Sequence, residues 1–322
     1  MERKIVASDE MVAGYRDLFI NRLAYTIQSS TPHPETGRYY YYRPRRNEKP
    51  VSLTPATIRQ HLEGTLTIGL YAINPHTQRC KWVAIDADYE NALEDLLKLQ
   101  WQLRQDGVEA ALERSRRGGH LWIFAKTPLL ARDCRVYIYN LASQLKVPVK
   151  GVKLADGIEV FPRQDQVPAS EFGNGIRGPM GVHRAVGKRY WFYGADYAIE
   201  AQMGYLSRLK KISREEMDGF VRGLKMPEEF EAKPKIELPP YRAGLSTNLR
   251  EFRILDYVTV KRRSGRNYWT RCPSCAQQGH DCSGDNLAIS TADPRKYKCW
   301  AGCSREMIRT ALGCPIRNRR AG

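Results

Sequence analysis

No run of about 18 or more apolar residues occurs anywhere in the 322 residues, which leaves no candidate for a membrane-spanning helix. The first ten residues are polar, so no secretory signal is expected, and a cytoplasmic location follows. Acid is scarce: 35 Asp and Glu stand against 52 Lys and Arg, a formal charge of +17 that disfavours basic partners and attracts polyanions. Internal repeats and low-complexity tracts are absent, which argues against a solenoid or a largely disordered chain. Only 8 cysteines are present, and four of them fall in two close pairs, a pattern of metal binding in a reducing compartment rather than of a disulfide framework.

What is present suits a two-domain globular protein. Apolar residues reach 42% and charged residues 27%, enough for a core domain with one small module. A catalytic domain is expected over residues 1–225, a linker rich in Pro, Glu and Lys over 226–245, and a small domain over 246–322. The tail is the more basic part, since residues 241–322 hold 16 Lys and Arg against 6 Asp and Glu.

Periodicity predicts helices over 8–24, from Thr54 to the stop at Gly64, and from Pro128 to Leu145. Asn91 and Glu94 form the pattern of a capping box for a helix with the apolar stripe Leu93, Leu96, Leu97, Trp101 and Leu103, ended by Gly107. Ser213 and Glu216 form a second such pattern. Strands are expected over 66–73, 81–88, 157–161 and 189–193, with 108–113 and 121–125 as a hairpin. Residues 39–46 mix tyrosines and arginines, suited to packing on a core or to stacking on bases.

Three elements carry chemistry. Val83-Ala84-Ile85 runs into Asp86-Ala87-Asp88; residues two apart on a strand share a face, so both carboxylates project together, where a hard divalent cation would offset their charge. Next, Ser115-Arg116-Arg117-Gly118-Gly119-His120 precedes an apolar strand, and its donors and glycines suit a phosphate, making Ser115, Arg117, Gly119 and His120 nucleotide-binding candidates. Third, Glu159 interrupts the apolar strand Ile158-Glu159-Val160-Phe161, facing either solvent or the metal site.

In this order the three elements resemble the motifs of the archaeo-eukaryotic primase superfamily: a D-x-D pair, an S-x-G-x-H type turn and a third acid after an apolar residue. The likeness spans residues 53–193 and is closest to primase-polymerases of mobile elements, viruses and conflict systems. It includes His61-Leu62-Glu63-Gly64, Thr67-Ile68-Gly69-Leu70-Tyr71 and Glu113-Arg114-Ser115. The resemblance implies an α/β catalytic core with a mixed sheet. It also implies two Mg or Mn ions held by Asp86, Asp88 and Glu159, with His120 and Ser115 on the phosphates of a nucleoside triphosphate. Two departures stand out: one extra residue separates Ser115 from His120, and the third acid is Glu rather than Asp, which leaves Asp156 and Asp165 as alternatives. Asn174, Arg177 and Arg184 lie in the following Gly-rich segment, where such enzymes approach template or nucleotide.

Cys272-x2-Cys275 and Cys299-x3-Cys303, 23 residues apart, offer four thiolates, the donor set of a structural zinc ion. His280 and Cys282 are alternative ligands. Residues 248–313 resemble the zinc ribbon of bacterial-type primases, which implies contact with single-stranded template. Tyr268, Trp269 and Trp300 among Arg263, Arg266 and Arg271 suit that contact, although Trp300 could equally fill the ribbon's core. The expected activity is primer synthesis and extension on single-stranded DNA by a monomer, with a separate helicase as partner since no helicase motif is present. The alternatives are a primer-extending repair or end-joining polymerase and a non-catalytic replication initiator.

Overall fold

The computed structural model describes residues 5–34, 37–150, 156–230, 252–279, 281 and 283–316, and the chain divides into two units, Met1–Glu231 and Ala232–Gly322. Residues 231–245 of the expected linker lie outside the described residues, as do His280 and Cys282. Met226 and Phe230, at the start of that segment, pack on the core of the first unit, where Phe230 stacks on Tyr139.

The first unit runs α1 (Asp9–Phe19), β1 (Tyr25–Gln28), β2 (Tyr41–Tyr42), β3 (Arg45–Arg46), β4 (Lys49–Pro50) and α2 (Pro55–Glu63). It continues with β5 (Ile68–Tyr71), β6 (Arg79–Ala87), α3 (Ala92–Gln105), β7 (Ala110–Arg114), β8 (Gly119–Leu130) and α4 (Ala131–Gln144). It ends with β9 (Glu159–Phe161), β10 (Gly175–Arg177), β11 (Val182–His183), β12 (Lys188–Arg189), α5 (Ile199–Arg208) and α6 (Arg214–Val221).

Several boundaries follow from local chemistry. Thr54 accepts the Thr57 N–H at the head of α2, and Gly64 closes that helix at φ 86°. Ser213 and Glu216 complete the capping box of α6. Asn91, in contrast, does not cap α3: at φ 64° its backbone is left-handed rather than extended, and its side chain makes no cap hydrogen bond. Nor does Pro128 open a helix. Pairing of Leu129 and Leu130 with Cys80 and Arg79 holds that segment extended, and α4 begins only at Ala131. The stripe expected on α3 is also rotated: Ala92, Asp95, Leu96, Leu99 and Leu103 face inward, while Leu93, Leu97 and Trp101 are exposed.

Instead of one mixed sheet there are two four-stranded sheets, β10-β5-β1-β2 and β7-β8-β6-β9, with every strand pairing antiparallel. The reason is topological. The crossover through α3 makes β7 run parallel to β6, but β8 turns back from β7 and inserts between them, antiparallel to both. Among the described residues, parallel pairing is confined to the isolated bridges Ala125 with Ile212 and Val149 with Ile158.

The second sheet is buried on both faces. Trp82, Ala84, Trp122, Phe124 and Phe161 point into one core with α1, α2, α5 and the first sheet. Val83, Ile85, Leu121, Ile123 and Val160 point into the other, against α3, α4 and α6. Strands covered on both sides read as continuous apolar runs, so alternation alone does not reveal which face carries the chemistry.

The second unit holds β13 (Arg262–Ser264), β14 (Asn267–Thr270), α7 (Pro273–Gln277), β15 (Leu287–Ser290), β16 (Tyr297–Cys299) and α8 (Arg305–Ala311). Its four strands form an antiparallel meander in sequence order, over a small core of Ile254, Leu287, Ile289, Ile308 and the cysteines.

Candidate active site and cysteine cluster

The register of the second sheet places four polar residues in one row across it. Glu113 on β7 stands opposite His120 on β8, His120 opposite Asp86 on β6, and Asp86 opposite Glu159 on β9. Directly opposed residues share a face, so the row points the same way as Trp122 and Trp82, at the end of the strands. Asp86 and Glu159, 73 positions apart in the chain, become neighbours through the β6–β9 pairing.

A cavity of about 110 Å³ is lined by Asp86, Asp88, Tyr89, Lys150, Asp156, Gly157 and Glu159. Asp156 therefore joins the expected acids, whereas the other alternative, Asp165, is bonded to Arg135. Glu159 is held by Lys150 at 2.8 Å and Arg163 at 3.1 Å, and Asp88 accepts from Arg117 Nε at 2.9 Å. The donor set suits a hard divalent cation: Asp86, Asp88, Asp156 and Glu159 bring oxygen ligands to one small cavity, and Asp86 and Glu159 stand opposite each other on adjacent strands. Among the described residues, metal-ligating atoms of three or more side chains lie within 4.8 Å of one another only at the cysteines, so the carboxylates share a cavity without meeting at a point.

The His120 ring lies between two acids. Its Nδ1 is 2.7 Å from Glu113 Oε2 and its Nε2 is 3.4 Å from Asp86 Oδ1. Burial acts to lower the His120 pKa, but the charge of Glu113 and hydrogen bonds to Asp86 and Glu113 outweigh it and lift it to about 9. Glu113, fully buried, also accepts from Trp122 Nε1 at 3.0 Å and from Arg177 at 2.8 Å. Burial favours its neutral form, yet Arg177 and His120 prevail and the net shift is downward.

The Gly-rich turn is explained in part by packing. Ser115 Oγ accepts the Gly118 N–H at 3.1 Å, closing the hairpin. A Cβ on Gly118 would lie 2.1 Å from the Ala87 carbonyl oxygen, so the turn can sit on β6 only with glycine there. Gly119 lies in the ladder, where a Cβ would come 2.9 Å from the Glu113 carbonyl oxygen and press on Leu96 and Leu93, on the face opposite to the His120 side chain. Arg117 is exposed beside Asp88. His61 is a satisfied core residue: buried, bonded to Tyr15 and the Pro179 carbonyl, with its pKa lowered to about 3 chiefly by desolvation.

Arg177 is not a solvated arginine but a buried one, while Asn174 pairs with Gln164 and the Arg184 backbone N–H donates to Gln28. Sequence reasoning missed Glu113 as a site residue. Its signals were a charge ending the apolar stretch Ala110-Ala111-Leu112, seven residues before His120, and its place in the family-like stretch Glu113-Arg114-Ser115.

In the second unit the sulfurs of Cys272, Cys275, Cys299 and Cys303 all lie within 4.8 Å of one another, with Cys275 3.5 Å from Cys299 and 3.3 Å from Cys303. A tetrahedral zinc ion with Zn–S bonds of about 2.3 Å requires sulfurs about 3.8 Å apart, so the set fits that ion. Asp281 accepts the Cys272 N–H at 2.7 Å and braces the first pair. Trp300 is 63% exposed, which removes it from the ribbon's core. It stacks on Trp269 at 6.3 Å, with Lys298 over its ring and Arg262 over that of Trp269.

The antiparallel sheets carry an acid-lined cavity at the strand ends, a donor set suited to metal-assisted nucleotidyl transfer. A family model described as "TOTE conflict system, Archaeo-Eukaryotic Primase domain" matches residues 24–220, and the chain belongs to that family. Solved structures similar to it include the catalytic domain of primase Repb' in complex with initiator DNA, at 13% identity and TM-score 0.30, covering 62% of this chain and 94% of that one. Another is the polymerase domain of Mycobacterium tuberculosis ligase D in complex with DNA, at 11% identity and TM-score 0.26, covering 66% and 86%. Among proteins of curated function none matches. No helix among the described residues is long and apolar enough to cross a membrane.

Proposed function

We propose that this chain is a primase-polymerase that starts and extends strands on single-stranded DNA from nucleoside triphosphates. The observation that carries this reading is the single row His120, Asp86 and Glu159 beside the cavity shared with Asp88 and Asp156. Asp86, Asp88 and Glu159 would hold divalent Mg or Mn, with Asp156 lining the same cavity. Such ions, when bound, supply charge neutralisation for in-line phosphoryl transfer.

The chain's own residues do the remaining work. His120, cationic through its acidic neighbours, presents Nε2 on the cavity side of β8 as a donor to phosphate oxygens. Lys150 and Arg163 hold Glu159, and Lys150 also lines the cavity, where its charge suits a phosphate. No side-chain nucleophile is required, because positioning and charge account for catalysis of this kind.

The cysteine unit is a zinc ribbon that binds template. Trp269 and Trp300 offer stacking faces, and Arg262 and Lys298 beside them contact phosphates.

The deciding experiment is synthesis on bare single-stranded DNA with labelled triphosphates and Mg or Mn, wild type against Asp86→Ala with Asp88→Ala. Short products from wild type alone support the reading. Extension only of a supplied primer indicates a repair-type polymerase, and template binding without synthesis indicates a non-catalytic initiator.

A further inference from the structure

Glu113 does not line the acid-lined cavity, yet more polar contacts converge on it than on its partners in the row. It is 0% exposed. Oε2 accepts from His120 Nδ1 at 2.7 Å and from Trp122 Nε1 at 3.0 Å, and Oε1 accepts from Arg177 at 2.8 Å. A buried carboxylate is costly unless both oxygens are satisfied, and here they are. The three donors come from β8 and β10, so the group ties the acid-bearing sheet to the first sheet.

The consequence for His120 is specific. A histidine has two ring nitrogens, and the partner of one decides what the other can do. With Glu113 accepting at Nδ1, the ring is held with Nε2 toward Asp86 and the cavity side. Trp122 at the next same-face position on β8 packs edge-on to the imidazole at 6.3 Å, so the ring is confined from a second direction. Without Glu113 the ring loses its partner at Nδ1, and rotation would turn Nε2 away from Asp86, which lines the cavity.

We propose that Glu113 is a positioning residue, a buried carboxylate that orients His120 so that Nε2 faces the triphosphate, with Arg177 holding Glu113 in place across the two sheets. This rests on the reading of the cavity as a nucleotide site. It adds a residue that acts through His120 rather than on substrate.

The test uses the full chain in four forms: wild type, Glu113→Gln, His120→Ala and the double variant, with binding of fluorescent dATP in the presence of Mg followed by titration. Removing the group that orients a metal-binding histidine costs about ten- to a hundredfold, and the same scale is expected for one that binds phosphate. Glu113→Gln should weaken dATP by that factor, His120→Ala by at least as much, and the double variant by no more than His120→Ala. Additive losses, or wild-type affinity in folded Glu113→Gln, overturn the proposal.

Because Glu113→Gln leaves Arg177 buried without its partner, Glu113→Gln with Arg177→Met serves if the single variant does not fold. Nitrogen-15 spectra of wild-type imidazoles need no variant at all: a slowly exchanging proton on His120 Nδ1 is expected, and a bare Nδ1 sinks the idea. Failure of wild type to synthesise strands would count against the proposed function alone. The spectra and the binding cycle would still decide the role of Glu113.

Discussion

Asp86 and Glu159 stand directly opposite each other on adjacent antiparallel strands, two like charges, with His120 Nε2 3.4 Å from Asp86 and the Lys150 and Arg163 side chains on Glu159. Such a pair destabilises the sheet unless a cation compensates it. Asp86→Asn should lower nucleotidyl transfer by about a thousandfold or more, several kcal/mol of lost charge stabilisation, while changing the melting temperature little, because relief of the repulsion with Glu159 and loss of the ionic contact with His120 oppose each other. Primer-synthesis assays beside thermal unfolding check this. A variant that keeps activity removes Asp86 from the metal site.

Titration of His120 gives a second expectation, for protein desalted of Mg and Mn. Its folded pKa of about 9 lies above the ordinary 6.5, so its protonation contributes stability that is fully present below about pH 6.5 and lost as pH rises through 9. The melting-temperature gap between wild type and His120→Gln should be widest near pH 6 and close toward pH 9.5. A gap that widens with pH contradicts the geometry.

Zinc should be found at one ion per chain by elemental analysis. Cys275→Ser should unfold the second unit, whose core is small, since structural zinc contributes about 10–16 kcal/mol to such domains. The first unit, with its own two cores, should keep its cooperative transition. Full zinc retention in the variant would point to a different ligand set.

Trp300 is largely exposed, so Trp300→Ala should leave the ribbon's stability unchanged and weaken single-stranded DNA binding by about 1–3 kcal/mol, the worth of one stacked base. Leu287→Ala, at a fully buried position, should do the opposite, destabilising the ribbon by about 2–5 kcal/mol. Equal DNA affinity of wild type and Trp300→Ala would place the template elsewhere.

Local and short-range features of this protein were legible without coordinates. The D-x-D at the end of an apolar strand, the hairpin carrying His120, the cap residues Thr54 and Ser213, and the spacing of Cys272, Cys275, Cys299 and Cys303 all depend on residues a few positions apart or on chemistry that admits few partners. Errors arose where tertiary packing overrides local pattern. Asn91 has the composition of a cap but not its backbone conformation, and Leu93, Leu97 and Trp101 have helical spacing but face outward.

What the amino-acid order determined by itself was the inventory: which acids, which histidine and which thiols could do chemistry, and on what elements they ride. Only the tertiary structure decided their company. Strand order β7-β8-β6-β9 puts Glu113, His120, Asp86 and Glu159 in one row, draws Asp156 rather than Asp165 to the cavity, and brings Arg177 from another sheet onto Glu113. The physical reason is that cross-strand register is set by hydrogen bonding and by which faces are buried, and those pairings join residues whose separation along the chain carries no local signal.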